Sequence, residues 1–179
     1  MKTFKALAIF SAIAATTLAL NVQAADTSSA GAAKSLPKAD ADKLIAIAQA
    51  NMAEVAAGKL AAEKSTRADV KDFAQTMVTD HGKALDEVKA LATSKSVTLP
   101  SEPDAAHKKL AAHLGSLSGA QFDQEYIAKA GVADHTAVHA ALTKDIATAK
   151  DADVKALAEK MLPTVAHHLE MSKKMQAAK

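Results

Sequence analysis

An eleven-residue pattern recurs in this chain, with six positions identical. "ADVKDFAQTMV" (Ala68–Val78) lines up with "ADVKALAEKML" (Ala152–Leu162), 84 residues further on. A fainter match sets "AQANMAEV" (Ala48–Val55) against "AKAGVADH" (Ala128–His135), 80 residues apart, with Glu54 opposite Asp134. Both repeats fall in segments with helical periodicity, so the repeated unit is a helical hairpin. A hairpin that carries an apolar stripe on each arm cannot bury it alone, and two of them bury it against each other. The repeat therefore predicts an all-α four-helix bundle built from a duplicated hairpin.

Local signals agree. After residue 40 the chain is rich in Ala, Leu, Lys, Glu and Met and has no alternating β-branched run, so helix is the regular structure it supports. A first helix is expected over 40–64, starting near Asp40, and a second over 67–94, with Thr66 and Asp69 in capping-box spacing. "SVTLPSEPD" breaks the pattern at Pro100 and Pro103 before a short helix over 103–115. A third long helix is expected over 119–149, with Ser118 and Gln121 as its capping signal, and Asp151 opens a fourth over 152–176. Helices of ~27 residues are about 40 Å long. The connection of roughly 24 residues between helices two and three, with its short helix, can run back along such a bundle. The favoured topology is therefore the ferritin-like one, with a long crossover at that point.

The first residues carry a different signal. Lys2 and Lys5 precede an uncharged apolar run, Ala6 to Leu20, and Val22, Gln23 and Ala24 form a small-residue cleavage site. Residues 1–24 read as a secretory signal peptide cut near Ala24, which predicts a periplasmic or secreted protein. The run of 15 residues is short of the roughly 20 a membrane helix needs, and no second run follows, so no stable membrane span is expected after cleavage. Residues 25–39, small, polar and punctuated by Gly31 and Pro37, read as a flexible linker to a bundle domain at 40–177.

Without the two signal lysines, the chain balances 20 basic against 20 acidic residues. It has no Trp, and Phe73, Phe122 and Tyr126 are its aromatics past the signal segment. Neither a basic field nor a stacking platform is present, so nucleic acid is not an expected partner. Zero cysteines exclude disulfides and thiolate metal sites. A second apolar stripe on helix one (Ile45, Met52, Ala56, Leu60) is suited to seat either the short helix or a partner, whether another protein or a second copy in a homodimer.

At about 100° per residue, the inward stripe of helix two is Val70, Phe73, Ala74, Met77, His81, Ala84, Leu85 and Val88. That of helix three is Ile127, Ala128, Gly131, His135, Val138, Leu142 and Ile146. Helix four contributes Val154, Leu157, Ala158, Met161, Val165, His168, Leu169 and Ser172. Three of the four helices thus carry one inward histidine, and Asn51 and Glu54 flank the inward face of helix one. Asp80 and Asp134 each precede a histidine but point about 100° away from it, toward a helix seam. There a carboxylate can fix the tautomer of a histidine on the adjacent helix. His107, His113 and His139 read as solvated or rim histidines, and Pro163 removes a backbone donor inside helix four.

Together "NMAEVAAGKLA" (Asn51–Ala61), "VKDFAQTMVTDH" (Val70–His81), "FDQEYIAKA" (Phe122–Ala130) and "LPTVAHHLE" (Leu162–Glu170) resemble the bacterial domain of unknown function family 4142. The resemblance covers essentially the whole chain after the signal segment and implies an exported, ferritin-like four-helix bundle with no established activity. Carried over residue by residue, its recurrent polar positions fall on Glu54, Asp80, His81, Asp123, Tyr126, His135 and His168.

The ferritin-like label invites a di-iron reading, which the residues resist. Di-iron bundles place a Glu three residues before each ligand histidine, whereas Val78, Val132 and Val165 stand before His81, His135 and His168. A mixed set of Glu54, His81, His135 and His168 would instead suit a single Fe, Zn, Mn or Ni ion. The competing reading is of hydrogen-bonded core histidines that set the register of the bundle. A separate stripe of His167, Met171 and Met175 offers imidazole and thioether to Cu(I). No Ser/His/Asp order, glycine-rich phosphate loop or close pair of inward carboxylates supports a hydrolase, kinase or glycosidase. Two functions follow: a non-enzymatic binding or envelope and stress module first, a metal-binding bundle with a histidine-rich core site as the alternative.

Overall fold

The computed structural model describes residues 36–178. The expected signal peptide, and the linker up to residue 35, lie outside the described residues. Four long rods make the bundle: α1 (Lys38–Lys64), α2 (Ala68–Ser94), a continuous third rod, and α6 (Ala152–Ala177). The third rod consists of α4 (Gly119–Glu125), a π-helical segment (Tyr126–Asp134) and α5 (His135–Thr148). The short α3 (Ala105–Ser116) lies in the connection. No strand occurs among the described residues.

Paired contacts give the topology. Asp40 reaches Lys150 and Asp151 while Thr66 reaches Asp123, so α1 runs antiparallel to the third rod. Arg67 meets Met175, Glu87 meets Lys160 and Lys95 meets Asp151, so α2 runs antiparallel to α6. Helix two and the third rod consequently run in the same direction, and the chain must travel the length of the bundle between them. The segment carrying α3 makes that crossing, as the length of the connection predicts. Leu110 of α3 and Leu60 of α1 pack on the same buried cluster, so part of the second stripe of helix one is covered by the short helix.

Helix starts follow side-chain capping at α3 and α6 and depart from it elsewhere: Ser118, the expected cap of the third rod, makes no side-chain capping bond. Asp151 accepts from the amides of Asp153 and Val154 and opens α6, and Asp104 does the same for Ala106 and His107 at α3. Thr66, in contrast, does not cap α2, because its hydroxyl is turned to Asp123 at 2.9 Å. Asp40 does not cap α1, which begins two residues earlier at Lys38. Fully buried, Asp40 instead accepts from the amides of Lys150 and Asp151, both at 2.8 Å, and from Lys43, tying the start of α1 to the α5–α6 turn.

The core has three levels. Toward one end lie Phe73, Met77, Phe122, Tyr126 and Ile127 with their neighbours, and toward the other Leu44, Ile47, Val88, Leu142, Val154 and Met161. Between these apolar clusters sit buried Asn51, Glu54, His81, His135 and His168. The polar level therefore rests between two apolar ones.

Candidate metal centre

Each of the three histidines comes from a different rod, and each is held the same way: one ring nitrogen is occupied and the other is free. Asn51 donates its amide to the Ile47 carbonyl at 2.7 Å, one turn back, which turns its oxygen toward His81. His81 Nδ1 lies 2.9 Å from that oxygen, so Nδ1 carries the proton. His135 Nδ1 donates to the Ala130 carbonyl at 2.9 Å, five residues back. That acceptor is exposed to it by the π-helical turn, whose i→i+5 pattern displaces the carbonyls from their α-helical partners. His168 Nε2 donates to the Asp80 carboxylate at 3.1 Å across the α2–α6 seam.

What remains is three lone pairs. His81 Nε2, His135 Nε2 and His168 Nδ1 are buried and have no hydrogen-bond partner. The ring centroids form a nearly equilateral triangle with sides of 5.5, 5.2 and 5.5 Å. One nitrogen of each ring lies within 4.8 Å of one from each of the others. Nitrogens at that limit would stand ~2.8 Å from their common centre, so about 0.7 Å of closure reaches the usual metal–imidazole length.

Electrostatics keep the rings neutral. Burial, followed by the neighbouring imidazoles His135 and His168, pulls His81 down to about 3. Burial also lowers His135 and His168, against the opposing pull of Ala130 on the first and of Asp80 on the second. A neutral imidazole is the form that binds metals. Phe73 packs edge-on to His168 at 6.4 Å and tilted to His135 at 6.4 Å. On the other side, a cavity of about 20 Å³ is lined by His81, His135, Glu54 and apolar side chains, including Leu142 and Val165. That is room for one water-sized ligand.

Glu54, expected as a fourth donor, stands outside this set. Its Oε1 is 3.7 Å from His135 Nδ1, the nitrogen already committed as a donor, and its Oε2 has no partner. Burial, then the adjacent Asp134 carboxylate, pushes the Glu54 carboxyl well above the usual range. A carboxyl facing the donor side of His135 borders the site without completing it.

His107, expected on the rim, is a bridge that sequence reasoning missed. Its Nδ1 is 2.6 Å from Asp104 and its Nε2 is 3.2 Å from Asp134. Hydrogen bonding to Asp134 leads the causes that raise it to about 9, so His107 is a cation at neutral pH. Burial would raise Asp134, but the bonds to His107 and Glu54 prevail and hold it low. Asp80 does fix the tautomer of a histidine on the adjacent helix, whereas Asp134 binds the connecting helix instead. The His167–Met171–Met175 stripe does not form one surface: His167 is exposed, while Met171 and Met175 pack into the core.

The fold has counterparts among solved structures. A solved DUF305 fragment from Deinococcus radiodurans superposes with a TM-score of 0.72 at 11% identity, over 82% of this chain and all of that one. CopM in its Cu(I)-bound form superposes at 0.63 with 13% identity, over 75% of this chain and 93% of that one. Its Cu(II)-bound form gives 0.65 at 13%, over 78% and 96%. At such identities the likeness concerns the fold, which these helical bundles share with the present chain. No curated protein matches in sequence. The family model for the domain of unknown function DUF4142 matches residues 25–175, and the chain belongs to that family.

Proposed function

We propose that the protein is an exported module that binds a single transition-metal ion through His81, His135 and His168. The observation that carries this reading is the set of three buried, unpartnered lone pairs, each fixed by a proton-accepting group on the opposite side of its ring. A core histidine whose role is structural gains by pairing both nitrogens, and leaving one buried acceptor unpaired costs about 1–3 kcal/mol. Three such costs at one place, within reach of one ion, point to a ligand that offsets them.

Three neutral nitrogens without a carboxylate suit copper or zinc better than manganese. Among the ions expected from sequence, zinc keeps the closest fit, and copper joins it. The binding of copper by CopM, which has a similar fold, adds support for copper. The basic start and apolar run at residues 1–24 support export. Among the described residues no helix is long and apolar enough to cross a membrane.

Elemental analysis after reconstitution with Zn(II) and with Cu(I) tests the reading. One equivalent is expected in the wild type and none in His81→Ala or His135→Ala. An unloaded wild type, or full loading of both variants, would remove it and leave the binding-module reading without a metal.

A further inference from the structure

The three rings are enclosed by apolar side chains on most sides, and two surface clefts approach them. One, about 210 Å³ between α1 and α3, is lined by Glu54, His107 and Asp134 and by none of the three rings. The other, also about 210 Å³, lies between α2 and α6 and has both His81 and His168 in its wall, with Asp80 and Thr164 beside them. The side chain of Asp80 is 36% exposed, yet it accepts the His168 Nε2 proton at 3.1 Å. It is thus in contact with solvent and with a ring of the site together. Apolar clusters flank the polar level on both sides.

Resting on the metal reading above, we propose that the ion is exchangeable cargo, that it enters and leaves through the α2–α6 cleft, and that Asp80 is the positioning residue at the entrance. Of the two carboxylates in the cleft wall, Glu87 is paired with Lys160, and Asp80 is the one bonded to a ring of the site. From there His168 is the nearest ligand and His81 the next along the wall. Lys83 and Lys160 flank the cleft, but Lys160 is paired with Glu87 at 2.7 Å, which moderates its repulsion of an incoming cation. The α1–α3 groove leads instead to Glu54 and His107 and has no ring of the site in its wall.

The absence of cysteine from the chain allows a test that does not disturb folding. Thr164→Cys in the cleft and Ala56→Cys in the α1–α3 groove are each capped after folding, either with a methylthio group or with a bulky maleimide. Zn(II) uptake from a chromophoric chelator and release to EDTA are then followed by stopped flow. The bulky cap at position 164 is expected to slow both rates at least tenfold and leave the equilibrium affinity unchanged, while the cap at position 56 changes neither. Asp80→Asn is expected to slow uptake and to flatten its dependence on ionic strength, an effect that loss of a purely structural hydrogen bond would not produce. Unchanged rates with the bulky cap at 164, slowing by the cap at 56, or an unaltered salt dependence in Asp80→Asn would overturn the route while leaving the metal reading intact. A wild type that takes up no Zn(II) or Cu(I) would overturn the metal reading itself.

Discussion

The two hairpins began as one pattern and now do different work at the middle of the bundle. Val70, Ala74 and Met77 of the first correspond to Val154, Ala158 and Met161 of the second, and all six are buried. At the polar level the correspondence breaks: Asn51 faces Gly131 in the alignment, Phe73 faces Leu157, and His81 faces Val165. Glu54 and Asp134 keep a carboxyl at the same aligned place with opposite shifts: burial raises Glu54, whereas at Asp134 burial is outweighed by the bond to His107. Duplication supplied a frame of small and apolar residues that either half can use. The chemistry lies in the positions where the halves no longer agree.

The largest effect should come from the aromatic departure. Phe73 is buried against Tyr126, His135 and His168, whereas Leu157 sits at its edge, 8% exposed. Phe73→Ala is expected to cost about 3–5 kcal/mol and Leu157→Ala about 2–3, measured by urea denaturation of the apo protein. Equal costs would mean that the halves contribute alike and that the ring beneath the site is ordinary packing.

The charged departure should show as pH dependence. His107 is raised from 6.5 to about 9 by Asp134, with Asp104 adding to it. A raised base contributes stability that is fully present below its unfolded value and is lost as pH rises through the folded one. Stability should therefore fall between roughly pH 6.5 and pH 9, by no more than about 3.5 kcal/mol at ~1.4 kcal/mol per unit. His107→Gln should remove that slope. A slope that survives the substitution would assign it to other groups and leave Asp134 without its partner's influence.

Close approach gives a smaller effect. A Cβ on Gly131 would stand 3.0 Å from both Cβ and Oγ of the buried Ser172, whose hydroxyl is already committed to the His168 carbonyl at 2.7 Å. Gly131→Ala is expected to cost about 1–3 kcal/mol in thermal or chemical melts. Ser172→Gly in the same chain should recover part of that loss. No recovery would place the strain in the π-helical backbone rather than at this contact.

The repeat, the proline-marked break and the length of the connection made the bundle and its crossover legible, because each is a periodic or local signal. The three inward histidines were legible for the same reason, each lying on an apolar stripe at helical spacing. The π-helical segment Tyr126–Asp134 was not. Its i→i+5 bonds bring Tyr126 and Ala130 inward, where uniform helical spacing placed Ala128, and no residue type marks that change of pitch. The same turn supplies the carbonyl that orients His135. His107 was misread because the second of its partners lies across a docking contact: Asp104 is three residues away, but Asp134 is 27 residues away in sequence. Glu54 was correctly placed inward, but direction alone does not tell which nitrogen of a neighbouring ring it meets.

Making the halves alike at the site itself should perturb folding least and binding most. His81→Val installs the residue found at the equivalent position, Val165. It removes a buried imidazole whose Nε2 has no partner, which is favourable, and leaves the Asn51 oxygen without its donor, which is not. Each term is about 1–3 kcal/mol, so the apo protein should melt within about 1 kcal/mol of the wild type. The contrast should appear only on adding the ion. Wild type at a free Zn(II) concentration 100 times its Kd gains about 2.7 kcal/mol by mass action, and a variant that has lost the site gains nothing. A variant destabilised equally with and without the ion would show that His81 serves the bundle through its bond to Asn51, and the two hairpins would then differ in packing alone.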